Sequence, residues 1–208
     1  MPTTDTTPPT RTGIGGDDDT GFAGENVLVL ASADGSRVAE YCSERLDRRD
    51  APSPNALLVS LDESPDRRFD AVVRHGSGRP AGVAVVGCDG ARSAAATSAG
   101  TGHGPGLAPG PWVATVGSPA DLTGLGVRIR QALSNWEHDD TPIEVCFHDL
   151  DTLLGHVDDR AAFRFCHAVT RHVRSVGATS HFHLDPDAVS ERTLNTLRPL
   201  FDRVEDRR

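Results

Sequence analysis

The chain has 208 residues, a length that fits one domain, and a hydrophobic fraction of 37%, which is sufficient for a packed core. Its formal net charge of −9 argues against a general nucleic-acid-binding protein, because such a protein needs basic residues to neutralise phosphates. No run of about 18 apolar residues occurs, so we expect no membrane span. The N-terminus lacks the apolar core of a signal peptide. These features together predict a soluble cytoplasmic protein.

The charged residues are unusual in kind. All 21 basic residues are arginine, and 22 aspartates stand against 8 glutamates. An acidic chain without lysine resembles the proteins of salt-loving archaea, in which salt screens repulsion between carboxylates. A GC-rich genome would also favour arginine over lysine. The four cysteines (Cys42, Cys88, Cys146 and Cys166) form no CxxC pair, so we expect free thiols in a reducing cytoplasm.

Taken in chain order, the sequence begins with a polar leader, residues 1–24, that we expect to be disordered. One domain follows over 25–205, with a Gly-rich flexible loop at 89–111 and a short tail at 206–208. Apolar runs predict strands at 25–31, 55–61, 81–88, 112–117, 143–148 and 177–184, and a weaker closing strand near 201–205. Helical spacing predicts helices over 35–46, 64–75, 118–136, 158–175 and 187–199.

Strands that alternate with helices predict a three-layer α/β domain with a mostly parallel sheet covered on both faces. Ligands of such sheets bind beyond the carboxyl ends of the strands. The loops that matter for function are therefore expected at 31–36, 117–122, 148–152 and 184–187.

The first of these loops occupies the place of a phosphate-binding loop, between an apolar run and a helix. A working loop reads G-x-x-x-x-G-K-[ST], and its lysine neutralises the outer phosphates. With Gly35 as the second glycine, Ser36 replaces the lysine and Arg37 replaces the hydroxyl residue. We expect Asp34 to cap the helix, and Gly35 and Ser36 to form the turn, without nucleotide. The alternative is that Arg37 takes the role of the lysine.

The second half of the chain contains three distinctive segments: "SPADLTGLGV", "DLDTLLGHVD…FRFCHAVT" and "HLDPDAVSERTLNTLRPLFD". In their order and spacing they resemble the RecA/KaiC-like ATPase superfamily, over about residues 24–205. More closely, the chain is similar to a haloarchaeal branch of unknown function that has lost parts of the ATPase machinery. The resemblance implies a RecA-like P-loop NTPase fold and a degenerate nucleotide site.

In relatives with an intact site, an aspartate at the end of the fifth strand orients the magnesium-bound water. Here "VCFHDLDTLL" stands at that place, and one register puts His148 at the aspartate position, whereas a shift of one residue puts Asp149 there. No candidate for the catalytic glutamate is evident. The nucleotide alternative therefore consists of Asp34, Gly35, Ser36, Arg37 and Asp149, with ATP and magnesium as its ligands.

Cysteine and histidine offer a second alternative. Cys146 and His148 alternate on one predicted strand, and His181 and His183 alternate on another, so each pair shares a face. The RecA-like strand order implies that these two strands are neighbours, and the four side chains would then form a zinc site. The competing interpretation is that each histidine is neutral and packed, with one ring nitrogen hydrogen-bonded.

Several carboxylates have a structural interpretation. We expect Asp158 and Asp159 to cap a helix rather than to act as acid and base, and Asp185 to cap the last helix. The favoured function is therefore a non-hydrolysing RecA/KaiC-like domain without a cofactor. It would act as a regulatory or signalling module that binds a protein partner or associates with itself, with the leader and the 89–111 loop as candidate docking segments.

Overall fold

The computed structural model describes residues 24–32, 36–47, 52–65, 67–68, 80–88, 112–138 and 140–208. Seven strands in these residues form one sheet. They are β1 (Asn26–Leu30), β2 (Asn55–Ser60), β3 (Gly82–Cys88), β4 (Trp112–Val116), β5 (Ile143–Phe147), β6 (Thr179–Leu184) and β7 (Arg203–Asp206). The leader up to residue 23 and the 89–111 loop lie outside the described residues.

The strand order is β4-β3-β2-β5-β6-β1-β7, and every pair is parallel. The prediction of a parallel α/β sheet is thus confirmed. Parallel strands have all their carboxyl ends at one edge, so the segments that follow β1, β5 and β6 meet there. Because β5 pairs with β6, Cys146 lies opposite His181.

Five helices belong to the described part of the chain, and 3₁₀ turns are at Pro186–Ala188 and Arg198–Leu200. The helices are α1 (Ser36–Leu46), α2 (Leu122–Ser134), α3 (Leu150–His156), α4 (Asp159–Ser175) and α5 (Glu191–Leu197). Asp158 caps α4 as predicted, and its carboxylate accepts a hydrogen bond of 2.7 Å from the amide of Ala161.

The two faces of the sheet form separate cores. Along β1 the side chains alternate, so that Leu28 packs with α2, α4 and α5, whereas Val27 and Val29 pack with α1. The first core contains most of the large buried side chains, including Phe147 and Phe182. The second core, beneath α1, contains Tyr41, Cys42 and Cys146. Helices on both faces make the domain a three-layer α/β fold.

Three predicted boundaries need correction. Residues 148–152 were expected to be a loop, but α3 begins at Leu150, because Leu150 and Leu153 are both buried against the sheet. The last helix was predicted over 187–199; instead a 3₁₀ turn comes first, and α5 begins after Ser190, whose hydroxyl caps it. Strand β7 also extends to Asp206, which had been assigned to the tail.

The helix predicted over 64–75 is described only at residues 65, 67 and 68, which are helical. The remainder of that prediction lies outside the described residues. Among the helices that the structure describes, none combines the length and the apolarity needed to cross a bilayer.

Replacing Phe147 with alanine tests the larger core. The Phe147 ring is fully buried and stacks on Phe182 with 5.1 Å between ring centroids. We expect the free energy of unfolding, measured by denaturant titration in molar salt, to fall by about 3–5 kcal/mol. In the control Val127→Ala, at a residue that is 41% exposed, it should change by less than about 0.5 kcal/mol. Equal effects of the two changes would contradict this description of the core.

Candidate metal centre

Arg37 and Asp149, two of the five residues predicted for the nucleotide alternative, are engaged in other contacts at the carboxyl edge of the sheet. The guanidinium of Arg37 donates to the carbonyl oxygen of Arg207 at 2.8 Å. The carboxylate of Asp149 accepts hydrogen bonds from the Ser60 hydroxyl and the Leu61 amide, both at 2.8 Å. Asp34 and Gly35 lie outside the described residues, and Ser36 is described only as the first residue of α1.

His148 and Asp149 point to different environments. The His148 side chain is buried beneath α1 and contacts Cys146 and Cys42. Asp149 directly precedes α3, and its carboxylate accepts hydrogen bonds from Ser60 and Leu61 at the end of β2. Consecutive residues at a strand end face opposite sides, which explains why only one of them joins the buried cluster.

Four buried side chains beneath α1 bring their ligand atoms within 4.8 Å of one another. This Cys/His cluster consists of Cys42, Cys146, His181 and His183. Cys146 and His181 are opposite each other on β5 and β6, and His183 follows two residues later on the same face. Cys42 comes from α1, which covers that face.

Cys42 lies at the middle of the cluster. Its sulfur is 3.3 Å from Nε2 of His181 and 3.7 Å from Nε2 of His183. His148 is next to the cluster, with its Nε2 at 2.8 Å from the sulfur of Cys146 and 3.8 Å from that of Cys42. Three imidazoles and two thiols therefore share one buried pocket.

A second layer of polar contacts orients His181. Its Nδ1 is 2.9 Å from Oε1 of Glu144, and that oxygen also accepts from Nε of Arg45 at 3.2 Å. Glu144 is on β5, two residues before Cys146, so it shares the face of the cluster. A carboxylate on Nδ1 leaves Nε2 of His181 directed at Cys42, which is the arrangement that orients histidine ligands of metals.

The close contacts within the cluster shift the pKa values of its two thiols in opposite directions. Burial would raise the pKa of the Cys42 thiol, but the hydrogen bond with Cys146 and the neighbouring histidines hold that pKa well below its usual value. Burial raises the pKa of Cys146, and its hydrogen bond with Cys42 adds to this effect. The cluster thus favours a thiolate at Cys42 and a thiol at Cys146.

The two histidines shift in opposite directions. Burial would lower the pKa of His181, but Cys42 and Glu144 outweigh it and raise that pKa to about 9. Burial lowers the pKa of His183 to about 4. A charged His181 beside a Cys42 thiolate forms a buried ion pair.

The donor set and spacing fit a transition metal. Thiolates and imidazoles are the ligands of zinc, and four ligands about 2.0–2.3 Å from one ion in a tetrahedron lie about 3.3–3.8 Å apart. The separations of Cys42 from His181 and His183 fall in this range. Among the described residues, the Nδ1 atoms of His148 and His183 have no hydrogen-bond partner, whereas the Nε2 atoms of the same rings approach the cysteine sulfurs.

The sequence predicted three of the four members of this cluster. Cys146, His181 and His183 followed from strand alternation, together with His148, which lies beside the cluster rather than within its tightest group. Cys42 was assigned only to the apolar face of α1, and Glu144 was not identified. A helix face can be read from spacing of four residues, but the strands that it covers cannot. The alternating E-x-C-x-H pattern of β5 was the available signal for Glu144.

Replacing Glu144 with glutamine tests the buried charge. Because the pKa of His181 in the folded protein, about 9, exceeds its unfolded value of about 6.5, its charged form stabilises the fold fully below pH 6.5. That stabilisation is lost as the pH rises through 9. We expect Glu144→Gln to lower the pKa of His181 and to destabilise metal-free protein more at about pH 6 than above about pH 9.

Denaturant titrations at several pH values would measure this difference, and NMR of the histidine rings would measure the pKa. The control is Glu40→Gln, at an exposed glutamate of α1, the helix that covers the cluster. The same loss of stability for Glu144→Gln at both pH values would contradict the assignment.

Comparisons with known proteins define the family but not its role. A protein of Pyrococcus horikoshii OT3, solved in a structural study, is similar with a TM-score of 0.56 and 12% identity, over 88% of this chain and 82% of that chain. At this identity the similarity concerns the fold alone. No curated protein matches the chain. A family model described as "Family of unknown function (DUF7504)" matches residues 24–205. The chain therefore belongs to the DUF7504 family.

Proposed function

We propose that this chain binds one transition metal ion, of the zinc class, through Cys42, Cys146, His181 and His183. The observation that carries the proposal is the convergence of these four donor atoms within 4.8 Å in a buried pocket. Polar side chains are costly to bury unless they are paired or bind metal. Two soft thiols and two imidazoles are a donor set typical of structural zinc sites.

The surrounding residues support metal binding in defined ways. Glu144 holds Nδ1 of His181, which leaves Nε2 of that ring as a ligand and raises its basicity. Arg45 in turn pairs with Glu144 at 3.2 Å and limits the repulsion between this carboxylate and two thiolates. His148 would donate to the sulfur of Cys146, from which its Nε2 is 2.8 Å away, or replace one ligand.

The metal would have a structural role. Its ligands come from α1, β5 and β6, so one ion would cross-link a helix to two central strands of the sheet. All four ligand side chains are buried, and a closed site of this kind leaves no position for substrate. A ligand that binds only the folded state stabilises it, by about 2.7 kcal/mol at a free concentration one hundred times the Kd.

This role fits the resemblance to RecA/KaiC-like ATPases. In a phosphate-binding loop, the nucleotide holds the N-terminus of the helix that follows β1. Here the chain has no lysine, and the corresponding helix, α1, contributes Cys42 to the cluster. The order of the strands and the position of α1 after β1 support descent from that superfamily, in its degenerate haloarchaeal branch. The metal would then fix the helix that nucleotide once fixed.

The domain would accordingly serve as a non-hydrolysing regulatory module in the cytoplasm. A metal-stabilised scaffold without a working nucleotide site fits a protein that binds a protein partner or associates with itself. This part of the proposal rests on the missing lysine and on the engagement of Arg37 and Asp149 in internal contacts.

Metal analysis tests the central proposal. Protein purified in molar salt with zinc should contain one zinc per chain, and cobalt should give the near-ultraviolet absorption of thiolate ligation and the visible bands of tetrahedral coordination. We expect Cys42→Ser to weaken zinc binding by at least tenfold, because a hydroxyl is a poor ligand for zinc. The matched control is Cys166→Ala, at a buried cysteine of the opposite core.

The control distinguishes loss of zinc binding from loss of stability. Cys166→Ala should bind zinc as the unchanged chain does, even where its stability falls. Folded wild-type protein that takes up neither zinc nor cobalt would refute metal binding.

A nucleotide titration tests the alternative function. Because Arg37 and Asp149 are already hydrogen-bonded within the protein, we expect millimolar ATP with magnesium in high salt to give no thermal shift and no phosphate release. Arg37→Ala should likewise leave the response to ATP unchanged. A thermal shift that depends on Arg37 would revive the residual nucleotide site.

A further inference from the structure

Tyr41 connects the Cys/His cluster to the C-terminal strand. It precedes Cys42 on α1, and its ring packs edge-on against the rings of His181 and His183, with centroids 5.2 and 5.5 Å apart. Its hydroxyl donates to Oε1 of Glu205 on β7 at 3.3 Å. Only 5% of Tyr41 is exposed. One side chain therefore touches two histidines of the cluster and the edge of the sheet.

Further contacts join Arg207, the residue that follows β7, to α1 and β1. The guanidinium of Arg207 lies over the Tyr41 ring, 5.3 Å from its centroid. The carbonyl oxygen of Arg207 accepts from Arg37 at 2.8 Å, and its amide donates to the carbonyl of Leu30 on β1 at 2.8 Å. The segment at Glu205 and Arg207 is thus held by α1 as well as by β1.

Strand β7 also pairs with β1, and its Arg203 forms an ion pair with Glu25 at 3.5 Å. It has four residues, lies at the edge of the sheet, and alternates between half-buried and exposed side chains. Val204, its one large apolar side chain, is 39% exposed. A short edge strand with so little burial is the kind of element that opens locally at low free-energy cost. The contacts with α1 therefore add to the pairing with β1 in keeping β7 on the sheet.

We propose that metal binding at the Cys/His cluster and docking of β7 on the sheet are coupled through Tyr41. This inference rests on the proposed metal binding. An ion on Cys42, His181 and His183 would fix the residue next to Tyr41 and the two rings against which Tyr41 packs. Tyr41 would then hold Glu205 and Arg207 in place, and the edge of β1 would stay covered when metal is bound.

Through this coupling, metal binding would change whether the edge of β1 is exposed at the protein surface. When β7 leaves, the backbone N–H and C=O groups of β1 on that side lose their partners, and an uncovered edge strand pairs readily with another extended segment. Metal occupancy would thereby regulate access to this edge. Linkage requires the reverse effect as well: the chain with β7 undocked must bind metal more weakly, by the same factor by which metal favours the docked strand.

Amide hydrogen exchange of the full chain, with and without zinc, measures the effect of zinc binding on the docking of β7. We expect zinc to slow exchange in β7 by about fivefold or more, at the lower end of allosteric coupling. Strand β3, on the far side of the sheet and paired on both edges, serves as an internal control and should change little. In Tyr41→Phe, which keeps the ring and removes the bond to Glu205, the effect of zinc on β7 should shrink.

The zinc affinity of a double variant measures the reverse effect, that of β7 docking on metal binding. Glu205→Ala with Arg207→Ala removes two contacts to Tyr41 and no ligand of the cluster, and should weaken zinc binding by about fivefold. The matched control is Asp206→Ala with Arg208→Ala, which removes an exposed ion pair of 2.6 Å at the end of the same strand. The control should bind zinc like the unchanged chain.

The outcomes separate the two proposals. Zinc binding with unchanged exchange in β7 and unchanged affinity of the double variant would overturn the coupling and leave the metal site standing. Failure of the wild-type chain to bind zinc or cobalt would overturn the metal site and the coupling with it. Should the double variant fail to fold, the exchange of Tyr41→Phe decides, and a full response to zinc in that variant would refute the role of Tyr41.

Discussion

The structure depends on how five ionisable side chains are accommodated between α1 and the sheet. Cys42, Cys146, His148, His181 and His183 are almost completely buried. Burying such groups costs free energy unless hydrogen bonds, ion pairing or a metal compensates. Glu144 and Arg45 supply part of the compensation, whereas the Nδ1 atoms of His148 and His183 have no partner among the described residues. In the proposed function, a metal ion would stabilise the thiolates and bind the Nε2 atoms of His181 and His183.

The cluster lies beneath α1, the helix that follows the first strand of the sheet. In P-loop proteins the helix at this place in the fold binds nucleotide at its N-terminus, through backbone amides and a lysine of the preceding loop. This chain has no lysine, and Cys42, near the middle of α1, faces β5 and β6. In the proposed function, a metal ion on Cys42 would hold α1 from the side of the sheet instead.

Much of the fold and part of the site could be predicted from the sequence. Most central strands are short, largely apolar runs, since both of their faces are buried, and such runs are found without knowing the partner strand. Histidines at every second position of β6 had to share a face for the same reason. The short helix α3 escaped prediction because seven residues with two buried leucines give too little periodicity. Cys42 escaped because its spacing on α1 fits an apolar core as well as a ligand.

By itself, the sequence determined the alternation of strands and helices, the parallel sheet and the absence of lysine at the first crossover. It also determined that cysteine and histidine side chains at alternate positions of one strand share a face. These properties are local, since each depends on residues a few positions apart. Only the tertiary structure decided that α1 brings Cys42 onto the histidines of β6, that Glu144 orients His181, and that Tyr41 reaches β7. Those contacts join residues between 37 and 164 positions apart. Their geometry follows from the packing of elements on one another, which no local pattern specifies.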